Sequence, residues 1–196
     1  MLTRIDQADA IIDECTARIS ELLDPHEAAV SLLVGITGVG RRVAEVILAE
    51  IGTDMSRFPT AGHLSSWAGM CPGNNESAGK HKGAKARRGN VHLKTALVTA
   101  ATSASRTKSG YLKDKYHRLR ARRGGLRAAV AIGHKILTAA FHMLSEDAPY
   151  RELGATYLDL VDRDRVARNL TRRLERLGYA VDLKATESQE NASPFS

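Results

Sequence analysis

The chain has 196 residues, 43% of them hydrophobic, which suits one domain with extensions and a sizeable core. Acids begin at Asp6, which does not fit a secretory leader, and no apolar run approaches the roughly 18 residues of a membrane span. The formal net charge is +7, and the two cysteines, Cys15 and Cys71, form no C-x-x-C pair, which argues against a zinc site and suits a reducing, cytoplasmic setting.

Residues 2 to 23 predict one long helix. Ile5, Ala8, Ile12, Cys15, Ile19 and Leu22 fall on the a and d places of successive heptads, a narrow stripe of the coiled-coil kind. Asp6, Asp9 and Asp13 share a face of it. Three carboxylates on one exposed face repel one another, so a solvated flank is the better reading than a metal site. Asp24-Pro25 breaks the helix, with Pro25 suited to the first turn of the next.

The run EAAVSLLVGITGVGRRVAEVILAEIG, residues 27 to 52, reads as two helices joined by a glycine turn over 35 to 40. Glycines there permit positive φ and close backbone approach. The second helix would then offer free N–H groups to a phosphate, with Arg41 and Arg42 adding charge. Gly38, Gly40, Arg41 and Arg42 are therefore candidates for holding a nucleic-acid backbone as a helix-hairpin-helix. A plain helical corner with glycine turns is the structural alternative.

Phe58-Pro59 ends a loop, and Thr60 can cap a short helix, AGHLSSWAGM. The stretch PGNNESAGKHKGAKARRGN, residues 72 to 90, has no hydrophobic period. Asn90 can cap VHLKTALVTAATSAS. Gly110 precedes a strongly basic helix, YLKDKYHRLRARR, and Gly124-Gly125 precedes an apolar one, LRAAVAIGHKILTAAFHML. DRDRVARNLTRRLERLG is a charged helix closing at Gly178. YAVDL is the one stretch with some strand alternation, and the tail from 183 to 196 is expected to be disordered. The expected fold is all-α, with a helix over 1–24, a main domain over 25–182 and the tail.

Charge is distributed unevenly. Between Ser77 and Ser145 lie 16 Lys/Arg and one acid, Asp114, whereas the rest of the chain holds 13 Lys/Arg and 21 acids. A basic block between acidic arms is the footprint of a polyanion site. Within it Ser77 heads a run of Lys80, Lys82, Lys85, Arg87 and Arg88, with Lys94 on the next helix. For phosphoryl transfer such a loop could supply positioning and positive charge around the phosphorus. It lacks an evident base; His81 is the only close candidate. A phosphate-binding loop with a serine donor and a serine nucleophile both remain open from the residues alone.

The order of these segments resembles a known family. LLVGITGVGRRVAEVILAEIG, followed by RFPTAGHLSSWAGMCPGNNESAGKHKGAKARRGNVHLKTALVTAA, is similar to the C-terminal transposase domain of the IS-one-ten / IS-one-sixteen class of insertion-sequence transposases, the bridge-RNA-guided DNA recombinases. The likeness runs over roughly residues 30 to 180, and RNLTRRLERLGY resembles the family's closing helix. The resemblance implies DNA transposition, with Ser77 as the nucleophile that forms a covalent phosphoserine link to DNA. It also implies a guide RNA, and magnesium held by the carboxylates of an N-terminal resolvase-like domain.

This sequence departs from that pattern at its start, inside what would be the connecting helix, and the expectation is that it lacks the resolvase-like domain. No metal is expected in this chain. The seam over 5 to 22 is expected to pair with a second copy or with the resolvase-like domain. Such a chain is expected to bind DNA without recombining it alone, and a non-catalytic module for DNA or guide RNA is the alternative.

Overall fold

A computed structural model describes residues 2–71, 76–77, 80–81 and 88–184. Its architecture is all-α, as expected. In chain order the elements are α1 (Leu2–Leu23), a 3-10 turn (Asp24–His26), α2 (Glu27–Val34), α3 (Arg41–Ile51), a second 3-10 turn (Met55–Arg57), α4 (Ala61–Trp67), β1 (Glu76–Ser77), β2 (Lys80–His81), α5 (Val91–Ser105), α6 (Tyr111–Arg123), α7 (Gly125–Glu146), α8 (Tyr157–Leu160) and α9 (Arg163–Arg176). The chain divides into two compact units between Ala155 and Thr156.

In the first unit, α5 and α7 form the centre. Leu93, Leu97, Ala100, Ala101 and Ala104 repeat at helical spacing on α5 and are buried. Ile132, Gly133, Ile136, Leu137 and Ala140 do the same on α7. The small residues let the two backbones approach. A Cβ added at Gly133 would lie 3.2 Å from Leu97 Cβ and 3.2 Å from its carbonyl oxygen. By length and composition α7 could cross a membrane, but its apolar face lies in this core, against α5 and α6. Val30, Leu33, Ala44, Ile47 and Ile51 bring α2 and α3 into the same core, and Leu64 brings α4.

α1 contributes almost nothing to it. Ile5, Ile12 and Leu22 on the heptad seam are 52%, 56% and 60% exposed. The predicted stripe is therefore present as a helix face, with only Ile19 half-buried.

Local chemistry sets several helix starts. Thr60 Oγ1 accepts a hydrogen bond from the His63 N–H at 3.3 Å, capping α4. α6 is capped from a distance instead. Gly110 offers no side chain and holds φ at +139°, and the Tyr111 N–H donates to Glu152 Oε1 at 2.7 Å. A carboxylate at a helix start also complements the helix dipole. The same carboxylate accepts from the Thr37 hydroxyl at 2.9 Å and from the Gly154 N–H at 3.1 Å. One side chain thus joins the glycine turn, the start of α6 and the segment after α7.

In the second unit, α9 carries arginines along most of its length, and its Leu170 and Leu174, with Leu177 just past its end, are exposed. YAVDL forms no strand: four or five alternating residues with no partner strand cannot satisfy a ladder. Among the described residues the only β pairing is the β1–β2 hairpin, in antiparallel register with Glu76 opposite His81 and Ser77 opposite Lys80.

Candidate nucleic-acid interface

The serine loop leaves the fold after Met70 and returns at Asn90, and its two ends are held together. Gly89 packs against the Ala68–Gly69 backbone so closely that an added Cβ would lie within 2.6 Å of three backbone atoms there. Gly69 itself has φ +70°, which turns the chain out of α4. Lys94 reaches back from α5 and places Nζ 3.4 Å from the Gly69 carbonyl oxygen. Asn90 Oδ1 accepts from the Leu93 N–H at 3.0 Å and caps α5. The Asn90 amide also donates to Glu50 at the end of α3. α3, α4 and α5 thus converge on a closed neck.

Ser77 and Lys80 occupy facing backbone positions at the tip of the β1–β2 hairpin. Lys82, Lys85 and Arg87 lie outside the described residues. Arg88, on the returning limb, is exposed. Lys94 was expected to face phosphate; the structure makes it half-buried, with its ammonium directed at the neck. Replacing Asn90 with alanine removes both of its contacts. The expected loss is about 1–2 kcal/mol, the usual cost of a lost N-cap, read as a lower urea midpoint. An unchanged midpoint would remove Asn90 from the neck's support.

The glycine turn is organised differently from the sequence expectation. Gly38, at φ +91°, faces α5: an added Cβ would stand 2.5 Å from the Ala100 carbonyl oxygen and 2.6 Å from Ala104 N. Its missing side chain makes room for α5, so no nucleic-acid backbone can use that space. Gly40 is open, with nothing within 4 Å of an added Cβ. Arg41 grips Glu27 with both guanidinium nitrogens, at 2.7 and 2.8 Å, and reaches Glu45 at 3.2 Å. Arg42 bonds Glu45 at 3.0 Å and the Thr16 hydroxyl at 3.2 Å. The hydrogen bonds from Arg41 hold the Glu27 carboxyl below its ordinary pKa, so Glu27 is a carboxylate at neutral pH. Residues 27 to 51 hold two arginines against three glutamates. A phosphate arriving at this turn would meet cations already neutralised.

Uncompensated charge collects elsewhere. On α6, Arg118 pairs with Asp114 at 2.7 Å, and Lys115 lies 2.6 Å from the Tyr111 hydroxyl with its ammonium 4.9 Å from that ring's centre. Arg120, Arg122 and Arg123 fill the last turn of α6, and Arg127 follows on α7. All four are exposed, and no ion pair joins them to a carboxylate among the described residues. His134, further along α7, adds no charge at neutral pH, since burial pushes its pKa down, with Lys135 contributing. The run RARRGGLR marks this group in the sequence, and only the exhaustion of the nearby acids by other partners singles it out.

The fold is an all-α module with exposed arginines at the α6–α7 junction and a serine-bearing loop closed at its neck. Residues 30–117, from α2 through the serine loop into α6, match the model of the transposase family IS116/IS110/IS902. Residues 30–117 are thus a transposase domain of that family. It is 33% identical over 136 residues to the insertion element IS110 uncharacterized 43.6 kDa protein of Streptomyces coelicolor, which covers 68% of this chain and 33% of the relative. It is 27% identical over 152 residues to the pilin gene-inverting protein of Moraxella bovis, covering 76% of this chain and 45% of that protein. The chain therefore spans a third to under a half of the length of these relatives.

Proposed function

We propose that this chain is the nucleic-acid-binding and strand-joining part of a DNA transposase, and that Ser77 is its nucleophile. The observation that carries this reading is that the matched family domain contains the serine loop together with the neck that holds it. In the proposed step Ser77 Oγ attacks a DNA phosphorus. The Oγ–P bond forms, the phosphorus–oxygen bond to the leaving strand breaks, the serine proton passes to a base, and the leaving oxygen takes up a proton. Cations around the loop offset the charge that builds on the non-bridging oxygens. The phosphodiester energy is kept in the covalent link, so rejoining needs no nucleotide.

Among the described residues no group of three metal-ligating side chains comes together, and Asp6, Asp9 and Asp13 stand exposed on α1. The proposed step therefore draws on the loop's own groups alone. The exposed seam of α1 supports pairing with a second copy or with a carboxylate-bearing resolvase-like domain, and a guide RNA would supply the choice of target.

The test supplies that domain, a guide RNA and DNA, then looks for a denaturation-resistant protein–DNA adduct. The expected result is an adduct with the natural chain and none with Ser77→Ala. An adduct that persists in Ser77→Ala would exclude Ser77 as the nucleophile. The second reading is a binding module that never uses Ser77. The exposed arginines of the α6–α7 junction favour it, because they can bind nucleic acid without the loop, and no adduct in any combination would decide for it.

A further inference from the structure

We propose that the elbow between α6 and α7 is a second duplex-DNA site, separate from the serine loop. In it Arg120, Arg122, Arg123 and Arg127 take phosphates, and Leu126 contacts the sugar face between them. The proposal deepens the reading above and rests on this chain binding DNA. Three observations carry it. The first is the four exposed guanidiniums in eight residues, with the only acid of α6, Asp114, already held by Arg118. Placing like charges so close in sequence costs stability unless an anion answers them.

The second is where they sit. Cations in the last turn of α6 complement that helix's dipole, so a purely structural role could account for Arg120, Arg122 and Arg123. Arg127 has no such account. It lies in the first turn of α7, which contains no acid, and there a positive charge opposes the dipole.

The third is Leu126, 77% exposed and flanked by the arginines. An acidic peptide would have little use for an apolar tip there, whereas DNA-bending proteins set apolar side chains against sugars and base steps. Gly124, at φ +83° and with nothing within 4 Å of an added Cβ, makes the bend that brings the two helix ends together. α6 is about 20 Å long at 1.5 Å per residue, comparable to about six base pairs of duplex.

The full chain is titrated with a short random-sequence duplex DNA at several salt concentrations between about 50 and 200 mM. The triple variant Arg120→Ala/Arg123→Ala/Arg127→Ala should bind at least about tenfold more weakly and show a log–log salt slope shallower by about 2 to 3, as expected for three lost phosphate contacts. Leu126→Ala should weaken binding a few-fold with the slope unchanged. Circular dichroism melts should match the natural chain, since all four positions are exposed.

A control variant, Lys80→Ala/Lys82→Ala/Lys85→Ala, reports on the loop. If it lowers the slope while the elbow variant does not, the elbow site is overturned and DNA binding by the loop stands. If the natural chain binds no DNA, both fall. If the elbow variant loses only binding to anionic phospholipid vesicles, the site belongs to a membrane and the proposal is overturned. An unchanged affinity in Leu126→Ala would remove that residue from the site.

Discussion

Replacing Gly38 with alanine should lower the thermal midpoint by roughly 10 °C, the largest stability effect expected of any single methyl group added to this protein. Two costs combine. At φ +91° a side chain pays about 1–2 kcal/mol for the left-handed backbone. The new methyl would also stand 2.5 Å from the Ala100 carbonyl oxygen, 2.6 Å from Ala104 N and 2.7 Å from Ala104 Cβ. None of these is the end of a flexible side chain, so α5 itself must move, and overpacking of this kind costs about 1–3 kcal/mol. α5 carries the returning limb of the serine loop, so the displacement should also weaken DNA binding. A thermal melt followed by circular dichroism checks the first effect. A midpoint within about 2 °C of the natural chain would mean that the turn relaxes away from α5.

Gly89→Ala should act on the site more than on the fold. Its backbone dihedrals are ordinary, so the effect comes from contact alone: the methyl would lie 2.4 Å from Gly69 N and 2.5 Å from the Ala68 carbonyl carbon. The neck must then open, parting the limbs of the loop at the point where Lys94 and Asn90 hold them. The expected stability loss is about 1–3 kcal/mol. The expected loss in adduct formation is much larger, on the order of a hundredfold, because a misplacement of about 1 Å at a reacting centre has that effect. Comparing adduct yield with melting temperature separates the two. A variant that melts normally and forms adduct at the natural rate would show that the neck does not position Ser77.

Much of the scaffold was legible from nearest-neighbour chemistry. The Thr60 and Asn90 caps, the break at Asp24-Pro25 and the heptad face of α1 all depend on residues a few positions apart, and the structure has each of them. The glycine turn was legible as a turn, but its purpose was not. Gly38 meets α5 more than sixty positions away, and no local pattern announces that contact. The pairing of Arg41 with Glu27 spans 14 positions, and Glu152 joins Thr37 across 115. Charge counting gives the basic block as a whole. It could not tell which cations have partners, because that depends on where acids from other helices arrive. For the same reason nothing local in the sequence separates the arginines at the α6–α7 junction from Arg41 and Arg42, which Glu27 and Glu45 hold.

The closed neck has a consequence for how such a domain can change over generations. Because Gly69 and Gly89 meet, the helices are joined across the base of the loop as though the intervening segment were an attachment. Closing a longer segment between two fixed ends costs little: each doubling of its length adds only about 0.6 kcal/mol. A change in length between the two glycines need not, on this contact, disturb the packing of α3, α4 and α5. Selection acting on the segment that carries Ser77 is then largely decoupled from selection acting on the frame that displays it.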